Sequence, residues 1–148
     1  MMTRRPGFTL IELVVVIMIL GILAGVAAPK FFNTSVTATD NGLKQTLSIV
    51  RDAIELYNAK YNALPTCTAP GTDFKLLLAE FLRTPLPALP VGTAAVKDAE
   101  ITPVASAGTI LSDTTPTTGF KYNTTTGQFI INYGGASGGG TGPNYDTF

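Results

Sequence analysis

The chain has 148 residues, no histidine, one cysteine (Cys67), and 10 basic residues balanced by 10 acids. Each shortage removes a class of function. Zero net charge with 14% charged residues argues against a nucleic-acid partner, which would be held by phosphate neutralisation. One cysteine cannot close an intramolecular disulfide, and it reads as a small buried or loop residue. Without histidine there is no Cys–His pair, and no Gly-x-Ser-x-Gly elbow or phosphate-binding glycine loop is present, so the sequence does not read as an enzyme. Asp113 and Glu100 remain as acid–base candidates, and no spacing pairs them.

What the chain has in quantity is uninterrupted apolar sequence near its start. Arg4-Arg5-Pro6-Gly7-Phe8-Thr9-Leu10-Ile11-Glu12 leads into sixteen residues, Leu13 to Ala28, without a charged or hydrogen-bonding side chain. From Phe8 this makes a 21-residue helix of roughly 32 Å, enough to cross a bilayer. Arg4 and Arg5 precede it and only Lys30 follows, which places the leader in the cytoplasm and the bulk of the chain outside. A secretory signal has its small-residue cleavage site beyond the apolar run. Here Gly7 lies before it, so a cut there leaves a membrane anchor in place.

Three features inside the anchor carry meaning. An ionised Glu12 at a bilayer centre costs about 2.5–3.5 kcal/mol, less near the interface, so it is a functional candidate or a complement to the helix N-terminus. Gly21 and Gly25 have the spacing that lets membrane helices approach closely. With Pro29, which lacks a helical donor, they make residues 21–29 the softest part of the helix.

Beyond Pro29, Leu43, Leu47, Val50, Ile54, Tyr57 and Tyr61 follow at spacings of 4, 3, 4, 3 and 4, the core face of an amphipathic helix. Asp40 or Asn41 is a local cap or break, and Pro65 ends the run. An unbroken helix over 8–62 would span roughly 80 Å. Thr72-Asp73 starts a short helix through Leu82, and Pro85, Pro87 and Pro90 force an extended connector. Weak strand signals lie at Glu100–Val104 and Thr109–Leu111. The clearest is a hairpin, Gly119–Asn123 and Gln128–Tyr133 around a turn at Thr124–Gly127. Six glycines in the last fifteen residues read as a flexible tail or loop.

The run Arg5-Pro6-Gly7-Phe8-Thr9-Leu10-Ile11-Glu12 resembles the processing site of type IV prepilins and of type II secretion pseudopilins. Tyr57-Asn58-Ala59-Lys60-Tyr61-Asn62-Ala63-Leu64-Pro65 is similar to the end of the pseudopilin stalk. The resemblance covers residues 4–62 well and the remainder loosely. It implies an α+β, pilin-like fold, with a long N-terminal helix packed on a small C-terminal antiparallel sheet. The corresponding division is a leader at 1–7, a transmembrane and assembly helix at 8–29, a stalk at 30–64 and a globular domain with a glycine-rich tail at 65–148. The resemblance also implies cleavage between Gly7 and Phe8 by a prepilin peptidase and N-methylation of Phe8. Glu12 would then pair with the Phe8 amine of a neighbouring copy. The product would be a homopolymeric filament, raised from the bacterial inner membrane by an assembly platform and an ATPase, with the lipid bilayer holding the subunit beforehand.

The chain departs from the family in one respect, since many pilins close a C-terminal loop with a disulfide. Major pseudopilins are known for a loop calcium site. Asp98, Glu100, Asp113 and Asp146 are scattered, so calcium is unsupported and they read as solvated surface acids. The missing disulfide and the stalk ending favour a pseudopilin, while the glycine-rich tail and weak calcium signal favour a pilin. A single-pass anchored binding module that does not polymerise is the alternative. A globular part of about 85 residues without a disulfide is marginal by itself.

Overall fold

The computed structural model describes residues 7–92 and 99–148, divided into two compact units at Ser35/Val36. Lys97 and Asp98 lie outside the described residues.

Helix α1 runs from Leu10 to Tyr61. It passes through Pro29 and through Asp40-Asn41, where a cap or break was expected. Asp40 does not break the helix because its carboxylate is used elsewhere. Oδ2 accepts the Gly138 N–H at 2.8 Å and Oδ1 accepts the Tyr145 hydroxyl at 2.7 Å. A mid-helix Asp usually disrupts by bonding nearby backbone, and here that competition is removed. The helix ends on Asn62, whose φ of 52° is left-handed and whose N–H donates to the Asn58 carbonyl at 2.8 Å.

Helix α2, Thr72–Leu78, is shorter than the sequence suggested, with turns at Phe81 and Leu82 donating back to the Leu78 carbonyl. Its N-cap is Gly71, not Thr72. At φ 85° a Cβ on Gly71 would lie 2.7 Å from that of Ile101, so only glycine fits. Asp73 instead accepts the Thr68 N–H, at 2.9 Å to each carboxylate oxygen.

Three strands, β1 (Ile101–Val104), β2 (Phe120–Asn123) and β3 (Phe129–Ile131), form one sheet in that order. The expected hairpin is present, with Phe120 opposite Ile131 and Tyr122 opposite Phe129. The expected all-antiparallel sheet is not. β1 pairs parallel to β2, Ile101 opposite Phe120, because residues 105–119 cross over between them. Thr109–Leu111 is not a strand. The Ile110 backbone bonds the Gln128 amide, donating at 2.8 Å and accepting at 3.4 Å.

Leu43, Leu47, Val50 and Ile54 of α1 share one core with Phe74, Leu78, Ile101 and the buried strands. Phe74 lies 4.5 Å from the Tyr122 ring and stacks on Phe129 at 5.9 Å. Cys67 is buried against this core, and burial, with Asp73 adding to it, pushes its thiol up to about 11.

The glycine-rich tail is a folded strap. The Ser137 carbonyl accepts from Gly140, Thr141 and Gly142, and Ala136 bridges Asn144. A short 3-10 helix, Tyr145–Thr147, closes it. Besides Asp40, α1 holds the strap through Lys44, 4.5 Å above the Phe148 ring, and Arg51, which donates to the Phe148 oxygen at 2.6 Å and the Phe129 carbonyl at 2.9 Å.

Candidate functional site: the start of the long helix

Gly7, Phe8 and Thr9 are not helical, and α1 begins at Leu10. Phe8 is 75% exposed, and a Cβ built on Gly7 would meet nothing within 4 Å. Thr9 and Glu12 form a reciprocal cap. Thr9 donates to Glu12 Oε2 from its hydroxyl at 2.6 Å and from its N–H at 2.9 Å, and the Glu12 N–H points back to the Thr9 hydroxyl at 3.4 Å. This is the capping-box pattern, Thr-x-x-Glu, in which the carboxylate takes the Thr9 N–H and the Thr9 hydroxyl takes the Glu12 N–H, so two of the helix's unpaired donors are satisfied reciprocally. Thr9 is the functional residue the sequence reading passed over, although the Thr-x-x-Glu spacing was there to be read.

Leu10–Ala28 is long and apolar enough to cross a membrane, and none of it is buried. Apolar surface of this extent is far beyond what water-soluble monomers expose. Gly21 and Gly25 lie in it with open space where a Cβ would stand, leaving a shallow notch on the helix. Position 29 is helical.

The second acidic group of interest lies in the globular unit. Asp113 and Asp146 line one cavity of about 470 Å³ with Ser112, Tyr133 and Asn144. Asp113 is partly exposed, as a surface acid would be, but it is not unpaired. The Lys121 ammonium donates to it at 2.7 Å and to the Leu111 carbonyl at 3.0 Å, and the Asn132 amide donates to its other oxygen at 2.9 Å. Desolvation acts to raise its pKa, but Lys121 and Asn132 prevail and hold it below the usual carboxylate range. Asp146 Oδ2 accepts the Ser112 hydroxyl at 2.7 Å, while buried Oδ1 has no partner among the described residues. An ammonium already stands against Asp113, and no cluster of three potential ligands occurs among the described residues.

Residues 2–28 match the family model of the prokaryotic N-terminal methylation motif. The chain is 39% identical over 64 residues to the type IV narrow pilus major component PilA5 of Thermus thermophilus, covering 43% of this chain and 55% of that one. It is 35% identical over 63 residues to competence protein ComGC of Halalkalibacterium halodurans (43% and 62%). To the type II secretion system core protein G of Aeromonas hydrophila it is 36% identical over 70 residues (47% and 48%). The chain thus spans about half the length of the curated relatives it matches. No solved structure matches it. Motif and relatives together relate the chain to the type IV pilins and type II secretion pseudopilins.

Proposed function

We propose that this chain is a structural subunit of a type IV pilus-like helical filament, made as a prepilin, held in a membrane by residues 8–29 and polymerised from there. The observation that carries the reading is the methylation motif at residues 2–28, continuous with a wholly exposed apolar helix bearing one capped carboxylate. A prepilin peptidase would cut between Gly7 and Phe8 and methylate the new amine, which stays cationic. In lipid, Glu12 and that amine are each costly alone. Before docking, the Thr9 N–H and hydroxyl satisfy Glu12. On docking, the amine of a neighbouring copy offers a full positive charge, an attraction between two charges that the neutral Thr9 donors do not supply and that is strong where water is excluded. The exchange drives assembly and sets its register, with the Gly21–Gly25 notch allowing close helix approach. An inner-membrane platform and an ATPase would lift each docked subunit, leaving the globular units on a filament surface outside the cytoplasm.

The mass of the N-terminal peptide from native membranes tests this. A chain starting at Phe8 with one added methyl group is expected. A mature chain starting at Met1 or Met2, or one cut after Ala28, would remove the filament reading.

A further inference from the structure

Most charged side chains described in residues 36–148 are bonded or stacked inside their own unit, as with Asp40, Arg51 and the Lys60–Glu80 and Lys121–Asp113 pairs. Four have no hydrogen-bond, ion-pair or ring partner among the described residues: Asp52, Glu55, Lys75 and Arg83. They sort by sign into two places. Asp52 and Glu55 lie three residues apart on the exposed side of α1, beside exposed Ile49 and Leu56. Lys75 and Arg83 both line a groove of about 440 Å³ whose floor is apolar, formed by Val50, Phe74, Leu78 and Leu82. Leu76, 72% exposed, stands at its edge.

Neither patch is at rest alone. Like charges at neighbouring helix positions repel, and an apolar groove with two cations at its margin is complemented by a surface that is apolar and acidic together. The Ile49–Leu56 face of α1 is such a surface, and the acids are not among the residues lining the groove. One chain therefore carries both halves of a complementary pair at different sites.

We infer that the acidic, apolar face of α1 in one copy of this chain docks against the Lys75/Arg83 groove of the next. Such a contact is heterologous, so each copy keeps one free half after binding and the series propagates as an open assembly. Burial of Ile49, Leu56 and Leu76 supplies most of the affinity. The charges set partner choice and register, because exposed ion pairs by themselves contribute only about 0–1 kcal/mol. The inference rests on the filament reading and adds to it the surfaces through which globular units meet.

Cysteine pairs test it in filaments of the full chain. One acidic position (52 or 55) and one basic position (75 or 83) are each changed to Cys, giving four double variants, with buried Cys67 left in place. Oxidation is expected to give a ladder of dimers and larger multimers for at least one pair, and none for the single variants. In parallel, Arg83→Glu is expected to cut filament yield about tenfold, and adding Glu55→Lys in the same chain to restore it. Filaments at wild-type yield from the reversal, a loss the second change does not rescue, or no ladder from any of the four pairs would overturn the contact and leave the filament reading standing. A wild-type chain with a processed, methylated Phe8 that never polymerises would overturn the filament reading, and the contact with it.

Discussion

Glu12 is held by Thr9 and, on the proposed function, would pass to the amine of a neighbouring copy, and at the residue scale this decides what substitutions do. Glu12→Ala removes the carboxylate but not Gly7 or Phe8, so processing is expected to proceed while filaments fail to form. Electron microscopy of sheared material reads this directly, and wild-type filaments would sink the docking role. Thr9→Val keeps shape and removes the hydroxyl. Losing an N-cap costs about 1 kcal/mol, so amides of residues 10–13 should exchange faster in micelles than in the parent. Gly71→Ala probes a different site. Left-handed φ costs a residue with a Cβ about 1–2 kcal/mol, and here that Cβ also meets Ile101, so a clear fall in thermal midpoint is expected.

At the scale of elements, the strap over α1 and the Lys121 cluster answer to opposite ends of the pH range. Burial, then the bond to Asp40, pushes the Tyr145 hydroxyl up to about 12. A raised folded-state value means the stabilisation is complete below the ordinary tyrosine value near 10 and is lost as pH rises through the folded one. Thermal midpoints should therefore fall between about pH 10 and 12, and Tyr145→Phe should make that fall shallower, with buried Cys67 and Tyr122 still contributing to it. Asp113 is depressed, so its contribution is present above about pH 3.9 and is lost as pH falls below it through the folded value. Asp113→Asn should weaken the acid limb, with Asp73 still contributing to it. Neither cluster was legible in the sequence. Asp40 read, with Asn41, as a cap or break and Asp113 as a solvated acid because their partners, Tyr145 and Lys121, are chosen by the tertiary fold and no local spacing points to them. The hairpin was legible because Phe120 to Ile131 pairs across one short turn. The parallel β1 pairing was not, because a fifteen-residue crossover leaves no periodic trace.

Across the whole molecule, the helical stripe from Leu43 to Ile54 and the apolar anchor were readable because their periods follow from helix geometry alone. The folded strap was not readable, since six glycines carry the composition of a linker whether or not other groups fix them. With the strap in place, the globular unit closes without a disulfide, and its one thiol lies inside. Alkylation of Cys67 should be slow in the native chain at neutral pH and rapid in denaturant. Equal rates would show that the core opens readily.

The Thr9–Glu12 cap has a consequence for the order of events. All three of its hydrogen bonds join groups of Thr9 and Glu12, downstream of the Gly7–Phe8 bond. Scission there would take none of them away. The helix would enter and leave such a cut with the same first turn, so the proposed maturation would change the charge at its tip without unravelling it, and its chemistry would be insulated from the folding of the segment it releases.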